Sequence, residues 1–381
     1  MIKRMWVKNY RSLADVTIEF EPLTVLVGYN GAGKSNLIDV LRFTADILQL
    51  GLQTAVSKRN GINALLYWGH HGPNYGQIEI GYQLETENLS GTYAFSILVK
   101  PTTDKRGSYR IYREACNLHL DGQNGSNPFI YEMEEDQWLV KPAGTEPAIQ
   151  SNALILPLLS GISAYKLLYD WLIGMSFYRV GFPDVKGGPQ KSASAQSLTE
   201  SGENLASVLD ALPLLYRQKI DSALHAAIPD ITEFAVAPSN DYLFVYLKHY
   251  LLKDGHEYVN RELGQESDGT LRILGILAAI HQQPPRSLIG IEEPELNIHI
   301  GALPVLWEEF EEASQHSQII LTTHSPDLLN LCEAEQLRIV DKEDGTTRIA
   351  MIEESQKQII QKRLFAPGQL LQAEGLHSAL A

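Results

Sequence analysis

Residues 28–35 read Gly28-Tyr29-Asn30-Gly31-Ala32-Gly33-Lys34-Ser35. The stretch fits G-x-x-x-x-G-K-[ST], a phosphate-binding loop (P-loop). Just before it, Leu23-Thr24-Val25-Leu26-Val27 is a short apolar, β-branched run of the kind that forms a buried strand. Just after it, Asn36-Leu37-Ile38-Asp39-Val40-Leu41-Arg42-Phe43 spaces its apolar residues as a helix does. The motif therefore falls on a strand–loop–helix turn. There the glycines let backbone N–H groups close on phosphate oxygens, and the helix N-terminus adds a partial positive charge. Gly28, Asn30, Gly31, Ala32, Gly33 and Asn36 are the candidate loop contacts. Lys34 would reach the β- and γ-phosphates, and the Ser35 hydroxyl would ligate Mg²⁺. The loop predicts a nucleoside triphosphate site.

Three later stretches bear on what such a site does. Residues 287–299 read Ser-Leu-Ile-Gly-Ile-Glu-Glu-Pro-Glu-Leu-Asn-Ile-His, an apolar strand ending in adjacent carboxylates, Glu292 and Glu293. Beside a P-loop this looks like a Walker B segment: one carboxylate holds the Mg²⁺ shell and the other orients or deprotonates the attacking water. Ile319-Ile320-Leu321-Thr322-Thr323-His324-Ser325-Pro326 is a second apolar strand, and His324 at its end could donate to the γ-phosphate or to the water. Gly264-Gln265-Glu266-Ser267-Asp268-Gly269-Thr270-Leu271-Arg272 leads into an apolar helix, with Ser267 as its N-cap. Each has a plainer reading as well: an acidic turn after a buried strand, an ordinary histidine, a capped helix.

With 381 residues and 44% hydrophobic content, the chain can bury a large core, as two or three structural units or one large two-lobed domain. A net charge of −15 disfavours non-specific coating of nucleic acid but leaves room for a local basic groove. Two cysteines, Cys116 and Cys332, provide neither a disulfide framework nor a zinc set, so a reducing cytoplasm is the expected home. The N-terminus lacks the apolar core of a signal peptide. Ala153–Met175 is the most apolar region, but Pro157, Lys166 and Asp170 suit it to a buried helix pair rather than a membrane span. No membrane partner is expected.

The expected layout is an α/β core that is interrupted and then resumed. Residues 1–76 hold two or three strands, the P-loop and its helix over about 34–50, with 53–74 hard to assign. Residues 77–262 begin with period-two strands over 77–141, an antiparallel meander whose clearest turn is Asp121–Gly125. Helices follow over 152–176, then a short strand at 177–180 and a Gly- and Pro-rich loop, Gly181–Ser197, read as mobile. Helices at 203–212 and 214–227 and strands at 231–236 and 242–250 complete the insert. Residues 263–381 alternate helix and strand and end on a β pair and a helical C-terminus.

Taken together, these stretches resemble the ABC-type ATPase heads of the SMC, RecF and OLD group. Besides the motifs above, the resemblance rests on Asn9-Tyr10-Arg11-Ser12-Leu13 and Glu203-Asn204-Leu205-Ala206-Ser207-Val208-Leu209, in the family's order. It implies a two-lobed P-loop fold with an antiparallel meander and a helical insert. It also implies that Ser267, Asp268 and Gly269 form the signature motif, which meets the γ-phosphate held by another protomer. Two ATP-Mg²⁺ would then lie sandwiched in a head-to-tail homodimer. By the same resemblance Glu292 takes the Mg²⁺ shell, Glu293 is the catalytic base, His324 is the switch histidine, and Arg11 lies near the nucleotide and couples it to DNA. The chain departs from the family in three places. Glu292 stands where many members have Asp, Thr270 replaces the second signature glycine, and the Q-loop glutamine could be Gln53 or Gln77. The insert is too short for an SMC coiled coil, and no acidic TOPRIM cluster follows residue 352, so a stand-alone head is expected.

The leading expectation is thus an ATPase that couples ATP-driven dimerisation to DNA, or to an effector such as a nuclease, in DNA repair or anti-phage defence. The alternative is a nucleotide-gated interaction module with slow hydrolysis, whose partner does the chemistry without direct DNA contact. A kinase would lack an acceptor site, and a transporter head fits the Asn9–Leu13 motif and the long insert less well. The basic pairs Lys58-Arg59 and Lys105-Arg106 read as solvated surface before they read as DNA contacts.

Overall fold

Leu23–Val27, Leu288–Glu292 and Gln318–Thr323 are continuous apolar runs, buried along nearly their whole lengths. Such runs suit a parallel sheet covered on both faces. In the computed structural model, which describes residues 1–69, 72–73, 76–100, 108–120, 128–179, 190–191, 197–250 and 257–379, they form its centre. The sheet order is Met175–Arg179, Leu288–Glu292, Gln318–Thr323, Leu23–Val27, Leu337–Glu343, Thr346–Met351. All neighbours are parallel except the last pair, a terminal hairpin. The register sets Val27 beside Thr323, Thr322 beside Glu292 and Glu292 beside Arg179. The P-loop and both candidate acidic residues are thereby gathered at one edge, the C-terminal ends of the strands, where open α/β sheets bind ligands.

Alternation along these strands feeds two cores. Leu26, Leu288 and Ile320 pack with the P-loop helix Lys34–Leu50. Leu23, Val25, Ile289 and Ile291 pack with the helices Leu205–Ala211, Leu214–Ala227, Asp268–His281 and Leu303–Ser314. The first core continues into a seven-stranded antiparallel sheet. Its order is Gln137–Val140, Phe129–Glu134, Ser108–Leu120, Leu89–Lys100, Gln77–Glu85, Ile2–Tyr10, Leu13–Glu19. The meander is therefore continuous with the N-terminal hairpin through the pairing of Ile2–Tyr10 with Gln77–Glu85, and this sheet crosses the expected division at 76. The apolar region after it folds as Leu156–Leu159 and Ser163–Ile173, a buried helix pair as expected. Among the described residues, no helix is long and apolar enough to cross a membrane.

Other expectations shift. The unassigned stretch after Gln53 contains the end of a short helix, Leu52–Ser57, and a small β pair, Trp68–Gly69 with Gly72–Pro73. Tyr258–Glu262 is a further strand; its residues are mostly exposed and among the described residues it pairs only with Tyr242–Tyr250, so it lacks the buried alternation that marks a strand in sequence. The Asp121–Gly125 turn, the Lys105-Arg106 pair and most of Gly181–Ser197 lie outside the described residues.

Glu114, in the middle of the meander, is fully buried. It accepts hydrogen bonds from Tyr93 Oη at 3.1 Å, Tyr131 Oη at 2.7 Å, Ile155 N at 2.5 Å and Leu156 N at 3.0 Å. Burial pushes its carboxyl pKa up despite these four donors. The carboxylate ties the helix pair to the sheet. Glu114→Gln turns one acceptor into a donor that faces other donors, and we expect a loss of about 1–3 kcal/mol in denaturant melts.

Candidate functional site

Gly33 closes the P-loop at φ 117° and stands as N-cap of Lys34–Leu50 without a side-chain cap; its carbonyl takes Asn36 N at 3.0 Å and Leu37 N at 3.3 Å, which starts the helix at the loop. Gly31 also has positive φ, 86°. The loop is held from outside. A Cβ on Gly28 would lie 2.0 Å from the carbonyl oxygen of Val340, and one on Gly33 would lie 2.1 Å from Thr347 Oγ1. Thr347 Oγ1 donates to Ala32 O at 2.7 Å and lies 2.6 Å from Ser12 Oγ, which accepts from Asn36 Nδ2 at 2.7 Å. The terminal hairpin and the turn after Ile2–Tyr10 thus brace the loop from two sides. Gly28→Ala must push back backbone rather than a side chain; we expect a loss of about 1–3 kcal/mol in thermal melts, with weakened nucleotide binding.

Lys34 is buried and folds back onto the loop, donating to Gly28 O at 2.5 Å and Tyr29 O at 3.2 Å. Burial lowers its pKa, while Glu293, Glu295 and Glu292 pull the other way. Ser35 Oγ donates to Glu292 Oε2 at 2.6 Å. The two groups expected to share Mg²⁺ are therefore already in contact across 257 residues of chain. Arg179, at the end of its parallel strand, lies 3.4 Å from Glu292 Oε1. Glu293 leaves the strand with φ 49°, its N–H held by Thr322 O at 2.8 Å, and its Oε1 lies 3.2 Å from His324 Nδ1. The turn does what alternation along a strand forbids: both carboxylates reach the P-loop side.

Ser267 caps the helix Asp268–His281, accepting from Thr270 N at 3.1 Å. Gly269 lies against the loop after the acidic strand, where a Cβ would sit 2.3 Å from Asn297 O. Arg11 is at φ 49°; its Nη2 lies 2.8 Å from Asp39 Oδ2, and its Nη1 donates to Asn36 Oδ1 at 3.5 Å. Gln53 is exposed on the helix after the P-loop helix, and Gln77 O accepts from Asn9 Nδ2.

Sequence reasoning missed several residues. Arg59 is buried, 7% exposed, which corrects its reading as solvated surface. It donates to Asp39 Oδ1 at 3.0 Å and Asp46 Oδ2 at 2.7 Å, two acids on the buried side of the P-loop helix, and Tyr10 Oη donates to Asp39 Oδ2 at 2.6 Å. Lys58 fits that reading in part, half-exposed and paired with Asp46. Thr347 lies in no quoted motif, and Ser12 stood inside Asn9–Leu13 without a role of its own. Glu295 and Arg272 stood inside quoted motifs without a role. Glu295 accepts from Thr323 Oγ1 at 2.5 Å, and Arg272 donates to the Glu293 carbonyl at 2.5 Å.

Comparison with known proteins adds the family. The description "AAA domain, putative AbiEii toxin, Type IV TA system" matches residues 140–330, half of the chain, and "AAA ATPase domain" matches residues 1–57. The chain belongs to this AAA-domain family. The matched regions of this AAA-type ATPase include the P-loop, the signature segment and the acidic strand. It is 24% identical over 372 residues to the Old nuclease of Escherichia phage P2, covering 90% of this chain, and 23% identical over 369 residues to the OLD nuclease of Thermus scotoductus, covering 94%. It spans 59% and 65% of those relatives' lengths. Its fold is similar to the SMC head domain with an extended coiled coil bound to the C-terminal domain of ScpA, from Pyrococcus furiosus. The TM-score is 0.56 at 13% identity, covering 95% of this chain and 99% of the other. The architecture is that of a P-loop ATPase head of ABC type, as the motifs predict.

Proposed function

We propose that this AAA-type ATPase hydrolyses ATP in a head-to-tail homodimer and uses closure of the dimer to control DNA binding or a nuclease effector. The observation that carries the reading is the meeting of Ser35 with Glu292, and of Glu293 with His324, at the C-terminal edge of one parallel sheet. Ser35 Oγ and Glu292 Oε2 are hard oxygen donors of the kind Mg²⁺ takes, and they would hold it. Among the described residues no group of three or more His, Cys, Asp or Glu could hold a metal. Mg²⁺ held by Ser35 and Glu292 would complete its shell from phosphate and water. When bound, it would neutralise charge on the phosphates.

Lys34, freed from the Gly28 and Tyr29 carbonyls, would meet the β- and γ-phosphates, and the N–H groups of 30–36 would line the rest. Glu293 would take the proton of the attacking water, oriented by His324. Ser267, Asp268 and Gly269 would come to the γ-phosphate from the second molecule. Arg11, braced by Asp39, would sit beside the nucleotide. Two buried free thiols, Cys116 and Cys332, support a cytoplasmic home, and the likeness to OLD nucleases supports a role in DNA repair or anti-phage defence. The buried placement of Arg59 leaves Lys58 as the exposed member of that basic pair.

Phosphate release from ATP-Mg²⁺ by the purified chain tests the chemistry, and absence of turnover would refute the ATPase reading. Duplex DNA titrated with and without ATP at low salt tests the DNA arm; no binding in either state would remove it.

A further inference from the structure

We infer that Arg272 is a positioning residue for Glu293, tying the base to the helix that carries the signature segment. The inference rests on the ATPase reading above and deepens it. Arg272 lies in the second turn of Asp268–His281 and is 4% exposed. Its Nη2 donates to the carbonyl oxygen of Glu293, at the point where Glu293 takes positive φ. A non-glycine residue holds that conformation only when its surroundings impose it. Here the N–H of Glu293 is fixed by Thr322 and its C=O by Arg272. Gly269, one turn earlier, makes a second tie by close approach to the Asn297 carbonyl. The helix therefore grips the loop 293–297 at both ends.

Two further atoms stand nearby. Arg272 Nε and Glu295 Oε2 are buried without hydrogen-bond partners among the described residues. Burial lowers the Arg272 pKa to about 10, with Glu295 and Glu293 opposing it, and raises that of Glu295. The acids of the catalytic loop thus offset part of the cost of burying the cation behind it. Glu295, held through Oε1 by Thr323 at the end of the strand just before His324, fixes the other side. Arg272 consequently links the signature helix to the base through the Glu293 carbonyl, and Glu295 ties the same loop to the strand that precedes His324.

The test is steady-state ATP turnover of Arg272→Met, Arg272→Lys and Glu295→Gln beside Glu293→Gln. Arg272→Met is expected to lower kcat about tenfold or more with KM for ATP changed less than about threefold, since the P-loop is untouched. Arg272→Lys, which keeps one donor for the Glu293 carbonyl, is expected to recover part of that loss. Glu295→Gln, a near-isosteric change, covers the case in which Arg272→Met fails to fold, and is expected to lower kcat several-fold with the same unchanged KM. Folded Arg272→Met with kcat within about twofold of the parent would overturn the inference. So would a KM rise that accounts for the whole loss, or Glu295→Gln at parental kcat. Undiminished turnover in Glu293→Gln would instead overturn the base assignment itself, which separates the two failures.

Discussion

Glu293→Gln is expected to reduce ATP turnover by about a hundredfold or more while ATP still binds. The carboxylate is placed by its backbone: a left-handed turn directly after the strand, with the N–H on Thr322 and the carbonyl on Arg272. Glutamine keeps the shape and can still meet His324 at the same separation. It cannot accept a proton from water. Lys34 is placed by the Gly28 and Tyr29 carbonyls and keeps Glu295 and Glu292 as acidic neighbours, so affinity for ATP should stay within a few-fold of the parent. Phosphate release measured beside equilibrium nucleotide binding checks both halves. Loss of both together would mean that the substitution disturbs the loop rather than the chemistry, and full turnover would remove Glu293 as the base.

The second large effect is expected from Ser267→Arg. Ser267 caps its helix through Thr270 N, and the side chain is exposed ahead of that turn. Losing the cap costs the helix about 1 kcal/mol. The larger consequence lies between molecules. If this face meets the γ-phosphate on a second chain, an arginine there blocks close approach. Turnover should then fall to near the level of Glu293→Gln although each chain still binds ATP through its own P-loop. Nucleotide binding by the isolated variant, with turnover measured alongside, distinguishes this from simple unfolding. Parental turnover would show that the segment has no catalytic role in trans.

Much of the site was legible in the sequence because its parts are local. The P-loop strand and helix are contiguous apolar patterns flanking a motif with one geometry, and their bounds, Leu23–Val27 and Lys34–Leu50, follow from those patterns. The Glu292–Glu293 pair was legible for the same reason. What the sequence could not reveal is long-range support. Thr347 braces Ala32 from 315 residues away, and a threonine in an alternating hairpin carries no mark of that contact. Arg59 beside Lys58 looks like surface charge until Asp39 and Asp46, on the preceding helix, are seen to bury it. The joining of the meander to Ile2–Tyr10 was hidden similarly, since period-two alternation says which face is buried but not which strand is the neighbour.

The central claim, that ATP closes two copies of this chain on each other, is tested most directly by the molar mass of Glu293→Gln protein from light scattering after size separation, with saturating ATP-Mg²⁺ and without nucleotide. The account predicts a mass of two chains with ATP, and loss of that dimer when Ser267→Arg is added. A single-chain mass at saturating ATP-Mg²⁺, with nucleotide shown to be bound, would contradict it.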